Sequence, residues 1–124
     1  MSHRIVLADD EPNLVIPIEY LLKREGFEVT VARDGEEALE AIARVHPHLV
    51  LLDVMMPRKS GFDVCQVLRA DEANRELKIV LLTAKGRDDD VAKGLALGAD
   101  AYMIKPFSPK ELALKVRELL GGAA

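Results

Sequence analysis

Leu49-Val50-Leu51-Leu52-Asp53-Val54-Met55-Met56-Pro57 is the stretch whose reading decides the fold. Four consecutive apolar residues, with no polar alternation, suit a central strand covered on both faces. A single carboxylate, Asp53, closes the run. Similar runs lie outward on both sides: Arg4-Ile5-Val6-Leu7-Ala8, Phe27-Glu28-Val29-Thr30-Val31, Ile79-Val80-Leu81-Leu82 and Ala101-Tyr102-Met103-Ile104. The run at 27–31 alternates more than the others, which suits an edge strand. Helical segments of about ten to thirteen residues separate the runs, so strand and helix alternate five times at about 24 residues per unit. That alternation requires a parallel sheet with right-handed crossovers.

The expected architecture is therefore α/β, a flavodoxin-like (βα)5 doubly wound sheet with strand order 2-1-3-4-5. The 124 residues read as one domain, 1–124, with a core of about 4–120. Hydrophobic residues at 49% and charged residues at 31% allow a core and a polar surface together. No apolar run approaches the ~20 residues of a membrane span. No secretory signal is present, and a cytoplasmic location is expected. A net charge of −4 without a basic stripe argues against direct nucleic-acid binding. Cys65 is the single cysteine, which excludes an internal disulfide and fits a reducing compartment. His3, His46 and His48 lack a cysteine partner for zinc, and the last two, flanking Pro47, are expected to face solvent.

Helix boundaries are legible from their caps. Ser108-Pro109-Lys110-Glu111 is a capping box with Pro at the first helical position. Asp34-Gly35-Glu36-Glu37 and Ser60-Gly61-Phe62-Asp63 open helices in the same way. Gly26 and Gly121 stand at C-cap positions, and the tail from Gly121 to Ala124 is expected to fray. Two helices look compromised. Pro17 either delays the first helix to near Ile16 or bends it. Gly94 weakens the fourth helix, about Asp89 to Leu97, whose start Asp88-Asp89-Asp90 is expected to cap. Cys65 falls with Phe62 and Leu68 on the inner stripe of the third helix and reads as core.

The unusual polar residues fall at strand ends. Asp9 and Asp10 follow the first strand, Asp53 ends the third, Thr83 the fourth, and Lys105 the fifth. All lie at the carboxyl edge, where open α/β sheets bind ligands, and the aspartates flank the point where strand order reverses. Two like charges 4 Å apart cost about 4 kcal/mol at an effective dielectric near 20. Lys105 can offset one charge and a divalent cation two. Oxygen-only ligands that leave waters in place favour Mg2+ or Mn2+. A carboxylate oxygen is then placed to attack phosphorus, with the cations stabilising charge on the phosphoryl oxygens and a Thr hydroxyl donating to one of them.

Asp9-Asp10, Asp53 in Leu-Leu-Asp-Val-Met-Met-Pro, Thr83-Ala84 and Lys105-Pro106-Phe107 together resemble the receiver domain of bacterial two-component response regulators. The resemblance spans Arg4 to Leu120. It implies that Asp53 accepts a phosphoryl group from a histidine kinase or phosphotransfer protein. It implies Mg2+ ligation by the Asp10 and Asp53 side chains and the Met55 carbonyl, with Asp9 acting through a metal-bound water. Lys105 would pair with the phosphoryl group across a cis bond to Pro106. Thr83 would turn toward it, Tyr102 would swing inward, and the small Ala84 would leave access and offer its N–H. Phosphoryl lifetime would depend on side chains such as Met55 and Lys85. The helix-one surface near Pro17 would meet the kinase.

The segment Lys105-Pro-Phe-Ser-Pro-Lys-Glu-Leu is most similar to receivers of winged-helix transcription factors. Val91, Ala96 and Ala101 stand where that subfamily usually carries the charges that join two receivers through helix 4, strand 5 and helix 5. With Leu114 they make this outer face apolar, suited to a homodimer or to an output partner. Helix four, beside Thr83 and Tyr102, is the expected bistable element.

Two other readings use similar residues. A small haloacid-dehalogenase-type phosphatase also needs an Asp nucleophile, Mg2+, Thr and Lys, but its nucleophile begins an Asp-x-Asp pair on the first strand. Here Asp53 is followed by Val54-Met55. A flavodoxin-like cofactor binder needs a phosphate loop after the first strand, where Asp9-Asp10-Glu11-Pro12 would repel phosphate. The motif supports a switch that catalyses its own modification rather than a conventional enzyme.

Overall fold

A computed structural model describes residues 3–84 and 86–121. Strands β1 (Arg4–Ala8), β2 (Glu28–Ala32), β3 (Leu49–Asp53), β4 (Lys78–Ala84) and β5 (Ala101–Lys105) alternate with helices α1 (Pro12–Arg24), α2 (Gly35–Val45), α3 (Gly61–Arg69), α4 (Asp88–Ala96) and α5 (Pro109–Leu119). All neighbouring strands pair in parallel, in the order β2-β1-β3-β4-β5. The expected topology is present, with β2 at an edge.

Helices cover both faces of the sheet, which explains the unbroken apolar runs. On one face Val6, Val50, Leu52, Ile79 and Leu81 pack under Ala38, Ala41 and Ile42 of α2 and Val64, Cys65 and Leu68 of α3. On the other, Ile5, Leu7, Leu49, Leu51, Val80 and Leu82 pack under Val15, Ile18 and Leu22 of α1 and Leu112 and Val116 of α5. Alternate residues of one strand thus feed opposite cores, and each fully buried Leu or Ile contributes about 1.5–3 kcal/mol. Cys65 lies in the first core, as expected.

The caps form as read. Ser60 and Ser108 complete reciprocal capping boxes with Asp63 and Glu111, and the Asp34 carboxylate accepts from the Glu37 N–H. Three expectations need correction or choice. Helix α1 begins at Pro12 and continues through Pro17, so the delayed start near Ile16 does not occur. Asp88, Asp89 and Asp90 form the first turn of α4 rather than its cap; the cap position is Arg87, which makes no side-chain capping bond. His46 is exposed, but His48 is half-buried, and its Nδ1 accepts the Arg4 N–H at 2.9 Å. Burial, with Arg4 and His3 nearby, lowers the His48 pKa. A three-residue 3-10 turn, Glu72–Asn74, lay outside the sequence reading. Lys85 and Gly122 to Ala124, on which two expectations bear, lie outside the described residues.

Candidate functional site

The carboxyl ends of β1, β3, β4 and β5 converge on an open cleft of about 200 Å³. Asp10, Glu11, Asp53, Met55, Thr83, Ala84 and Lys105 line it, together with Arg87 and Asp90 from the start of α4.

Asp9 and Asp53 are each fixed by backbone. The Asp9 N–H bonds the Ala32 carbonyl at 3.0 Å, and the Asp9 Oδ1 accepts the Glu11 N–H at 3.0 Å. Asp53 is the last residue of β3, and the next N–H, of Val54, bonds Leu82 on β4 at 3.0 Å. The Gly61 N–H returns to the Val54 carbonyl at 3.1 Å, pulling the start of α3 against β3. A Cβ at Gly61 would stand 2.5 Å from the Asp53 carbonyl oxygen, so only glycine permits that approach. The Met55 N–H donates to Asp53 Oδ1 at 3.2 Å, while the Met55 side chain is exposed.

Asp9 and Asp53 are buried and Asp10 is exposed, yet one oxygen from each lies within 4.8 Å of the other two. Oxygens around Mg2+ stand about 3 Å apart when cis and about 4.2 Å when trans, so the all-oxygen set suits such an ion in chemistry and its members would draw closer to share it. Lys105 reaches over from β5 to make ion pairs with Asp9 at 3.0 Å, Asp53 at 3.3 Å and Glu11 at 3.6 Å. Burial and the neighbouring Asp9 charge raise the Asp53 pKa to about 6, against the opposing pull of Lys105 and the Met55 N–H. Burial alone would lower the Lys105 pKa, but the Asp9 hydrogen bond and the Asp53 and Asp9 charges outweigh it and raise it. The Thr83 hydroxyl is buried without a hydrogen-bond partner. A native protein rarely leaves such a group unpaired, and here it borders the cleft.

The structure thus brings together Asp9, Asp10, Asp53, Met55, Thr83, Ala84 and Lys105. Tyr102 stands apart from the cleft lining, 40% exposed on β5. The Lys105–Pro106 bond is cis. Sequence reasoning missed Glu11, Arg87 and Asp90. Glu11 was legible as the third acid in Asp9-Asp10-Glu11; Arg87 and Asp90 depend on how the β4–α4 loop returns, which no motif announces.

A doubly wound sheet with an acidic trio at its switch point and a lysine from the last strand defines a class of phosphoryl-handling domains. Residues 5–117 match the family described as response regulator receiver domain, and the chain belongs to it. It is 48% identical over 120 residues to the DNA-binding response regulator MtrA of Mycolicibacterium smegmatis, covering 97% of this chain and 51% of that protein. The chain spans about half the length of the curated relatives it matches. A crystal structure of a putative response regulator from Chloroflexus aurantiacus matches with TM-score 0.93 and 33% identity, over 98% of this chain and 99% of that one. The receiver domain of sensor histidine kinase PA1611 from Pseudomonas aeruginosa matches with TM-score 0.88 and 30% identity, over 98% and 99%. That structure holds a magnesium ion coordinated in its active-site cleft. The expected similarity to receivers of DNA-binding regulators therefore holds.

Proposed function

We propose that this receiver accepts a phosphoryl group on Asp53, from a sensor histidine kinase or a phosphotransfer protein, and relays the event through α4, β5 and α5. The observation that carries this reading is the buried Asp53 carboxylate, flanked by two other aspartates and Lys105, in a cleft that also holds an unpartnered Thr83 hydroxyl.

Asp10, Asp53 and the Met55 carbonyl would hold Mg2+, or Mn2+ in its place, and Asp9 would act on the ion indirectly, through water. The ion, when bound, supplies positive charge to the oxygens of the transferring phosphoryl group. An Asp53 oxygen attacks phosphorus in line, a P–O bond forms, and the P–N bond to the donor imidazole breaks with its electron pair leaving on nitrogen. Lys105 pairs with the phosphoryl oxygens, the Thr83 hydroxyl donates to one, and the Ala84 N–H to another. Water attack on the same phosphorus later releases inorganic phosphate and regenerates the carboxylate. The domain therefore promotes both halves of its own cycle.

Thr83, once turned to the phosphoryl group, vacates space that Tyr102 fills. The face this alters is apolar: Leu95, Tyr102, Ile104 and Leu114 are 44%, 40%, 40% and 57% exposed. Val91 and Ala96 lie on α4 and Ala101 on β5, the first and last half-buried and Ala96 exposed. The face suits a second receiver or an output partner joined by apolar contact. Residues 1–124 act as one receiver unit without direct nucleic-acid contact. Among the described residues no helix is long and apolar enough to cross a membrane, and the reading places the domain in the cytoplasm.

The test is labelling by acetyl phosphate with Mg2+, the modified residue being mapped by mass spectrometry. Label is expected on Asp53, lost on chelation and lost in Asp53→Asn. Labelling of that variant at the wild-type rate would show the acceptor to be elsewhere. Light scattering with and without beryllofluoride tests the outer face: a monomer in both states removes the homodimer and leaves the output partner.

A further inference from the structure

We infer that Arg87 is a second cationic ligand of the phosphoryl group, held in reserve by Asp90 until Asp53 is phosphorylated. The inference rests on the acceptor reading above and adds to it a residue that none of the receiver motifs includes.

Three observations carry it. First, among the described residues lining the cleft, Lys105 and Arg87 are the only cations, against Asp10, Glu11, Asp53 and Asp90. A phosphoryl dianion arriving there adds charge to an already acidic site. Second, Lys105 is committed: its ammonium lies within 3.6 Å of Asp9, Asp53 and Glu11. Its three donors are shared among three carboxylates, so Lys105 must give up some of these pairs to meet a phosphoryl group and cannot alone offset the added charge. Third, Arg87 is lightly held. Its Nε bonds Asp90 Oδ2 at 2.8 Å, and its side chain is 50% exposed. The Asp90 side chain is 13% exposed, so the pair is open to solvent only on its arginine side, and a dianion in the same cleft can replace this single charge-assisted bond with stronger ones.

The backbone allows the transfer. Arg87 follows Gly86, which has φ +85 with open space around its Cα, and it precedes the regular turns of α4. Asp90 keeps a favourable setting after losing Arg87, because it lies in the first turn of α4, at the positive end of the helix dipole. The guanidinium presents paired donors that fit two phosphoryl oxygens at once, which a lysine cannot do. Arg87 thus couples the filling of the cleft to the amino end of α4.

The experiment measures the apparent affinity for beryllofluoride, an acyl-phosphate mimic, with Mg2+ by 19F NMR. Arg87→Ala is expected to weaken binding about tenfold, as loss of a charge-assisted bond implies, and Arg87→Lys to recover only part. Asp90→Asn is expected to tighten binding severalfold in the wild-type background and to do nothing in Arg87→Ala, because its benefit is the release of Arg87. Binding to Arg87→Ala within about twofold of wild type would overturn the inference. So would equal tightening by Asp90→Asn with and without Arg87, which would make Asp90 a mere repulsive charge. Asp53→Asn separates the two claims: if it binds beryllofluoride as well as wild type, the acceptor reading fails and this one with it. If binding depends on Asp53 and ignores Arg87, only this inference fails.

Discussion

Helices α3 and α4 are each nine residues long and pack on the same face of the sheet, yet they are held very differently. Helix α3 starts with a complete capping box and buries Gly61, Val64, Cys65 and Leu68. Helix α4 has no side-chain cap, and Gly94 is its only buried residue. Its exposed side includes Leu95. The contrast assigns work. The α3 side pins the Asp53 backbone through Val54 and Gly61, whereas α4 touches the cleft through two side chains, Arg87 and Asp90. A site needs the first arrangement to stay preorganised, and a switch needs the second to move.

The largest test of this contrast is truncation. Leu68→Ala in α3 should cost about 2–5 kcal/mol, whereas Leu95→Ala in α4 should stay within about 0.5 kcal/mol. Urea titrations of the two variants measure both. Equal losses would mean that α4 is anchored as firmly as α3.

The next effect is electrostatic, and it follows from the pinning. Asp53 is buried and cannot draw back from Asp9, so burial first and their repulsion second raise its pKa, from an ordinary 3.8 to about 6. Between these values the folded chain binds more protons than the unfolded one, and stability falls as pH rises. The full shift corresponds to at most roughly 3 kcal/mol. Metal-free wild type should therefore lose stability relative to Asp53→Asn as pH rises from about 4 to about 6. Mg2+ should restore wild type above that range and have little effect on the variant. Parallel pH profiles of the melting temperatures would show that the carboxylates are free to separate.

Gly94 sharpens the comparison from the other side. A Cβ there would stand 2.1 Å from Leu81 Cδ1, and Leu81 is buried in the β4 core. In an open helix, Gly→Ala gains about 1 kcal/mol. Here overpacking of about 1–3 kcal/mol opposes that gain, so Gly94→Ala should be net destabilising, by about 1 kcal/mol. A stabilised variant would mean that α4 already rides away from the sheet.

The sequence made α3 and the strands legible for one reason: their determinants are local. Continuous apolar runs, Ser60 three residues before Asp63, and acids at strand ends are all visible without a fold. The acidic trio and Lys105 became a site as soon as strand order was assumed. Gly94 was legible as a helix-weakening residue because that tendency is local, but its close contact with Leu81 is tertiary and was not. Asp88 to Asp90 looked like a cap because acids favour helix starts, but the loop brings Arg87 to that position. His48 looked like a turn residue, and only the β1–β3 register brings it to the Arg4 N–H. Leu95, Tyr102 and Ile104 could not be joined into one face with Leu114 from periodicity alone, since they come from three elements.

The smallest effect tests the caps themselves. Ser60→Ala removes the side-chain acceptor of the Asp63 N–H, while the Asp63 carboxylate still accepts the Ser60 N–H. Half of the box survives, so the cost should be at or below about 1 kcal/mol. Amide exchange should quicken in the first turn of α3 and approach the rate at the uncapped start of α4. Beyond that turn, Val64, Cys65 and Leu68 are fully or nearly fully buried, and their burial does not depend on the cap. Protection there should persist. If the whole of α3 opened instead, its hold on the sheet would come from its cap rather than from its buried face. The difference between the two helices would then be one of ends, which an engineered cap on α4 could erase.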